Sequence, residues 1–330
     1  MSASRIWVGG YTDDLSGMGE GITLVKAADD GTLEDYGLAV AADSPSFLTR
    51  SGDMIYAVGE GGPSVSAFRI QGDELRFNGT QDAAGPQPCA VAVLGARRLL
   101  VAACYGNGTI DVHPLSPEGA IQKTGQSLRG EGKGSRINQD GPHAHAVLQV
   151  SPTVVLTADL GTDDIYIHSF DGELLTRTGT VKLPNGAGPR DLLLHPSGVV
   201  WVLTELSHEI YVLDGNDFSI VGSVALPGAE EHDNSAAMAL GADGRFAYAG
   251  LRGSDTIAVL AVSADGRTLS AAGSIGCGGG WPRHLVVDGP WLRVANQLTN
   301  SVVTFSIGAD GIPIKHSQLF VPSPTYLLLD

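Results

Sequence analysis

The chain has 330 residues, 43% of them hydrophobic and 17% charged, enough apolar material for a large core and too little charge for a disordered polyelectrolyte. Its 36 acidic and 20 basic residues give a net charge of −16, which repels phosphate backbones and excludes nucleic acid as a general partner. Three cysteines, Cys89, Cys104 and Cys277, fit neither a disulfide framework nor a CxxC metal pair. The N-terminal residues MSASRIWVGGYT contain no apolar signal core, and no run nears the ~18 apolar residues of a membrane span. The expectation is a cytoplasmic protein with no membrane partner.

Glycine, at 45 of 330 residues, is about twice its ~7% average and points to many tight turns. Those turns recur with a period. Residues 5–44 carry three strand-like segments, RIWVGGY, GITLVKA and LEDYGLAV. From there a loop ending in proline followed by a short apolar strand repeats at Pro45 (PSFLTR), Pro88 (PCAVAVL), Pro142 (PHAHAVL), Pro189 (PRDLLLH), Pro282 (PRHLVVD) and Pro324 (PTYLLLD). Ser235 (SAAMAL) holds the remaining place. The spacings of 43, 54, 47, 46, 47 and 42 residues divide the chain into seven units.

Each unit carries two turn signals, one such as HPSG or GADGR and then one such as ADDGTL, FDGELL, SADGRTL or GADGIP. Between them lie β-rich stretches such as VVWVL, EIYVL, TIAVLAV and SVVTFSI, so each unit reads as four antiparallel strands. The last unit has only PTYLLLD, and the first three strands lack a proline-led strand before them. Each end supplies what the other lacks. The predicted fold is all-β, a single domain over residues 1–330 forming a seven-bladed β-propeller, closed by pairing of the C-terminal strand with the N-terminal blade.

In a propeller the innermost strand of each blade lines a central channel, so equivalent positions form rings. The residues after the anchors are Ser46, Cys89, His143, Arg190, Ala236, Arg283 and Thr325. A second ring, where the next strand returns, is read as Tyr11 or Gly10, Glu60, Cys104, Asp159, Glu205, Leu251 and Asn296. Histidine, arginines and carboxylates at one mouth suit acid/base work on an anionic or carbonyl substrate. Other readings stand beside this one. His143 and His145 share a strand face and also suit a hydrogen-bonded pair or a metal pair. Arg190 and Arg283 also suit ion pairs with Glu205 and Asp159 that hold blades together. Glu60 and Asp159 read as structural acceptors, and His113, His168, His195, His208, His232 and His316 as surface or packing residues. The long Pro88-to-Pro142 interval places an insertion, RGEGKGSRINQDG with Lys133 and Arg136, where it either completes a site or forms an ordinary surface loop.

GPHAH, ADLGTDDIYIH, GAGPRDLLLHPSG, WVLTELSHEIYVL, WPRHL and VANQLTNSVVTF resemble the seven-bladed propeller lactonase family, which contains bacterial 6-phosphogluconolactonases of the propeller type and fungal carboxy-muconate lactonizing enzymes. The resemblance implies a site at His143, Glu205, Arg190 and Arg283, acting on a small anionic or sugar lactone without cofactor or metal, in a monomer or homodimer. Arg136, His145, His284 and Asn296 are the expected substrate contacts. His143 or Glu205 is expected as the general base, with the arginines holding the anion or the oxyanion. The family often reads GPRH where this chain has GPRD, placing Asp191 beside Arg190. A muconate-type cycloisomerase and a non-catalytic interaction scaffold are the rival readings.

Overall fold

The computed structural model describes residues 4–95 and 99–330; the first three residues of the segment inspected for a signal core lie outside them. Seven four-stranded antiparallel sheets account for all the named strands. The strands Leu48–Ser51, Pro88–Leu94, Ala144–Ser151, Pro189–Leu194, Asn234–Leu240, Pro282–Asp288 and Pro324–Leu329 touch one another in sequence and the last touches the first. They are the inner strands of blades 1 to 7, in that order. The observed architecture is the seven-bladed propeller expected from the repeat.

Closure also follows the sequence reading. Pro324–Leu329 pairs antiparallel with Ser4–Gly10, with Ile6 opposite Leu329 and Val8 opposite Leu327. Asp330 then forms ion pairs with Arg5 and with Arg50 of blade 1. Blade 7 is thus one sheet made from both ends of the chain.

Apolar cores lie between neighbouring blades, so middle strands are buried on both faces and read as unbroken apolar runs. Every residue of Met54–Gly59 and Leu99–Cys104 is buried. Trp201 and Leu203 of blade 4 pack on Ala249 and Leu260 of blade 5. Trp7, Ile22 and Leu24 of blade 7 pack on Leu48, Ile55 and Phe68 of blade 1, so the joint that closes the ring has the same apolar filling as the others.

Polar staples reinforce several joints. A long side chain on the second strand donates to a glycine carbonyl in the outer hairpin turn of the next blade: Tyr56 Oη to Gly119 O at 3.1 Å, Trp201 Nε1 to Gly266 O at 2.9 Å, Tyr248 Oη to Gly311 O at 3.0 Å and an Arg293 Nη to Gly31 O at 3.1 Å. These glycines take φ between 67° and 88°, a left-handed conformation that favours glycine. At the closing joint Arg5 donates to Gly72 O, and the equivalent indole nitrogen of Trp7 is buried with no hydrogen-bond partner among the described residues.

Candidate active site

The inner strands begin with a bulge. Pairing skips Cys89 in blade 2, His145 in blade 3, Arg190 in blade 4, Arg283 in blade 6 and Thr325 in blade 7. A bulged residue leaves the ladder and is re-aimed, and all five line one cavity of about 240 Å³ to which all seven blades contribute. This register corrects the first ring. Its third member is His145, not His143, because Ala144 rather than Pro142 occupies the strand-opening place that proline holds in blades 2, 4, 6 and 7.

The second ring is corrected by one residue in four blades. The returning strand closes with a backbone N–H donated to the loop before the inner strand: Tyr11 to Ser323, Glu60 to Ser44, Tyr105 to Gln87, Leu160 to His143, Glu205 to Gly188 and Gln297 to Trp281. In blade 5 the place belongs to Arg252, opposite Asn234. Tyr105, Leu160, Arg252 and Gln297 therefore replace Cys104, Asp159, Leu251 and Asn296. Arg252 was the costliest omission, since it brings a third arginine to the mouth.

Two ionic assemblies reach the cavity, one through Arg190 and the other through Arg283, Glu60 and Ser46. In the first, Glu205 Oε2 lies 2.7 Å from Arg190 Nε and 2.8 Å from an Arg252 Nη. The Arg190 Nε–H is not aimed at that oxygen, so this contact is a charge pair more than an aligned hydrogen bond. Arg190 also donates to Ala236 O, and Arg252 to Asn234 O and Ser235 O. Burial alone would raise Glu205, but the charges of Arg252, Arg190 and Arg283 outweigh it and hold the carboxyl below its usual range. Burial pushes Arg252 down to about 10, against the pull of Glu205.

In the second assembly Arg283 donates to Tyr11 Oη and approaches Glu60 Oε1 at 3.4 Å, while Tyr11 donates to the same oxygen at 2.8 Å. Ser46 donates to Glu60 Oε2, and Arg283 sits 4.6 Å over the Tyr11 ring. Burial pushes the Tyr11 phenol up, and Glu60 adds to it. Tyr11 therefore serves as a neutral donor. Between the assemblies stands His145. Burial first, then Arg190, Arg283 and Arg252, hold its imidazole well below the ordinary range, so it is neutral at physiological pH.

The expected site residues separate in space. His145, Arg190, Arg283 and His284 line the cavity, and Glu205 backs Arg190. His143 lies at the rim, stacked on Tyr105 at 4.5 Å. Its Nδ1 is 2.6 Å from Tyr105 O and its Nε2 is 3.0 Å from Asp140 Oδ1, so both ring nitrogens are engaged. Asn296 is buried and donates to Cys277 O, a strut between blades 5 and 6. Arg136 is exposed on the inserted loop; Gln139 anchors that loop by donating to Leu160 O and Asp163 Oδ1. Among the described residues Asp159 forms no ion pair with an arginine; it accepts the N–H groups of His143, Gly161 and Thr162. His113 and His168 are core residues without exposure. Among the described residues no group of three His, Cys, Asp or Glu side chains is placed to hold a metal ion.

One step below the bulge lie Phe47, Ala90, Ala146, Asp191, Ala237, His284 and Tyr326, which also line the cavity. Asp191 accepts the N–H of Leu192 at 2.9 Å and of Met238 at 3.0 Å. His284 Nδ1 accepts Leu327 N–H at 3.2 Å, which places the ring proton on Nε2. Burial, with Arg190 adding, brings His284 down to about 3.

The comparisons with known proteins agree with the fold. The family described as "Lactonase, 7-bladed beta-propeller" matches residues 5–328. The chain is 31% identical to 6-phosphogluconolactonase of Bacillus subtilis, over 96% of each. Among solved structures it is similar to a Lactobacillus plantarum protein at 29% identity, with a TM-score of 0.92 and 99% of each chain covered. It is also similar to a putative 6-phosphogluconolactonase from Bacteroides fragilis, at 25% identity and TM-score 0.92, covering 100% of this chain and 98% of that one. The chain belongs to the seven-bladed β-propeller lactonase family.

Proposed function

We propose that the axial cavity hydrolyses a sugar lactone that carries an anionic group, 6-phosphogluconolactone being the leading candidate. The observation that carries this reading is the neutral imidazole of His145, held in one cavity with Arg190 and Arg283 and near Arg252. Three guanidinium groups meet two carboxylates, Glu60 and Glu205, at the upper level of the site, and a third carboxylate, Asp191, lies a tier below, so positive charge is concentrated at the upper level in a protein that is −16 as a whole.

Water attacks the lactone carbonyl carbon while His145 takes its proton. Negative charge builds on the carbonyl oxygen, and a guanidinium N–H aimed there stabilises it. As the ring C–O bond breaks, His145 returns the proton to the departing ring oxygen, leaving an open-chain hydroxy acid. Glu205 is a positioning residue in this account. Its Oε2 is shared by two arginines, which leaves it a weak base and a firm orienter. His143, engaged at both nitrogens, steadies the rim.

The test follows pH change with an indicator on three substrates: acid release from 6-phosphogluconolactone and glucono-δ-lactone, whose hydrolysis frees a carboxylic acid, and proton uptake with a muconate-type diacid, whose cycloisomerisation consumes one proton. The expected order places the phosphorylated lactone first, and Arg190→Ala lowers its kcat/KM by about ten- to a hundredfold, the worth of one charge-assisted contact. Turnover of the diacid with no lactone hydrolysed would overturn the reading in favour of cycloisomerisation.

A further inference from the structure

The tier beneath the arginines has two unlike sides. Asp191, His284 and Tyr326 present polar groups on one side, from blades 4, 6 and 7, with the apolar Ala237 and Met238 of blade 5 between the first two. Blades 2 and 3 fill the equivalent places with Ala90 and Ala146, whose small side chains leave open, apolar room against Val147. Phe47 stacks on Tyr326 with ring centroids 4.3 Å apart, and Tyr326 on His284 at 4.0 Å. The polar groups are therefore held by packing before any ligand arrives.

Their hydrogen-bonding capacity is complementary. Asp191 uses its oxygens on two backbone N–H groups, and a carboxylate with about four acceptor sites has capacity left. His284 has its Nδ1 occupied by Leu327 N–H, so Nε2–H is the group it has to offer. The Tyr326 hydroxyl both donates and accepts. Asp191 and Tyr326 line the same cavity, and the Asp191 charge adds to the larger effect of burial in raising the Tyr326 phenol.

We infer that this lower tier is a hydroxyl-binding subsite that reads the polyhydroxylated edge of the lactone, with Asp191 as its specificity-determining residue. The inference rests on the lactonase reading above and adds an orientation. The sugar ring lies with its C–H face toward Ala90, Ala146 and Val147, its hydroxyls toward Asp191, His284 and Tyr326, and its anionic group up among Arg190, Arg252 and Arg283. A carboxylate below the arginines rejects a second anion at that depth by like-charge repulsion, which favours sugar lactones over diacids.

The test compares kcat/KM on glucono-δ-lactone, 6-phosphogluconolactone and hydroxyl-free δ-valerolactone for the intact protein, Asp191→Asn and Tyr326→Phe, with thermal melting of each. Asp191→Asn is expected to lower kcat/KM on both sugar lactones by about ten- to a hundredfold, as loss of a charge-assisted hydrogen bond does, and to leave δ-valerolactone within about twofold. Tyr326→Phe keeps the stacked ring and is expected to cost about tenfold, again only on the sugars. Equal losses on all three lactones would overturn the subsite while leaving the lactonase reading intact. A gain on the phosphorylated lactone alone in Asp191→Asn would also overturn it, by showing that the anion reaches the lower tier. If the intact protein hydrolyses no lactone, both readings fall together.

Discussion

The two ionic assemblies at the cavity mouth differ in a way that assigns them different work. Blades 4 and 5 set two arginines, Arg190 and Arg252, against the single carboxylate of Glu205. Blades 6, 7 and 1 set one arginine, Arg283, against Glu60, with Tyr11 and Ser46 sharing that carboxylate. The first assembly is cationic and the second is balanced. A sevenfold repeat supplies equivalent places, but chemistry begins where the repeats stop being equivalent. In the proposed reading the cationic side is the pole for the anionic group of the substrate, while the balanced side crosses the joint where the ring closes.

The largest effect expected from breaking this pairing comes through that joint. Deleting Pro324–Asp330 removes the inner strand of blade 7, opens the sheet edge of Ser4–Gly10 and strips Thr325 and Tyr326 from the cavity. Cooperative unfolding should be lost or shifted down sharply; a truncated chain with the melting curve of the full chain would contradict strand-based closure.

Next comes a pair of isosteric changes read side by side. Glu205→Gln leaves two buried arginines without their counter-charge, and removing one partner of a buried ionic group costs on the order of 3–5 kcal/mol. Glu60→Gln is milder, about 1–2 kcal/mol, because Arg283 keeps the Tyr11 ring and hydroxyl and a 3.4 Å contact to Gln297 Oε1. Chemical denaturation of the two variants checks the order. Equal losses would show that the charge imbalance across the mouth carries no energetic weight. Tyr11→Phe is expected to be smaller still, about 1 kcal/mol.

Protons provide a graded probe of the same interior. Burial holds His168 at about 4 and, helped by Arg190, His284 at about 3, and it sets His145 well below its usual range. A depressed folded value means that the unfolded chain takes up these protons first. The stability these residues contribute is therefore fully present above pH ~6.5, the unfolded imidazole value, and is lost as pH falls toward 4 and then 3. Asp159 and Asp191, raised by burial, act in the opposite sense in the carboxylate range. Urea midpoints at pH 7, 5.5 and 4.5 should fall in that order, by up to about 1.4 kcal/mol per pH unit for each such histidine. kcat/KM should hold its neutral-pH value to lower pH than an ordinary imidazole base allows, because burial and then the neighbouring arginines disfavour protonation of the proposed base. Arg252→Ala removes a positive charge that depresses His145 and should move the acid limb upward.

The period of the sequence was sufficient to read the architecture, because each blade needs the same two hairpin turns and the same apolar middle strands to fill the joints. The site was legible only in part. Arg190 and Arg283 follow a proline that opens the strand, so the motif marks the bulge directly. In blade 3 the proline stands two residues early, and His143 took the place that the ladder gives to His145. The outer ring slipped by one because small residues before Cys104, Leu251 and Asn296 suggested crowding near the axis, whereas the backbone N–H of the residue after Cys104 and Asn296 closes the turn and Arg252 takes the blade 5 place. A strict count from Glu60 and Glu205, both in register, would have found Tyr105, Arg252 and Gln297. Nothing in the local motif pointed to Tyr326, which reaches the cavity only because the last strand completes blade 7.

The most direct test of the central claim replaces the two neighbouring histidines one at a time. His145→Gln and His143→Gln are compared for kcat/KM on the best lactone substrate, with melting curves to separate chemistry from folding. His145→Gln should lose about 10²- to 10⁴-fold, the usual worth of a positioned general base, while melting close to the parent protein. His143→Gln should keep activity within about tenfold. Loss confined to His143→Gln, with His145→Gln as active as the parent, would contradict the assignment of the base to the axial cavity.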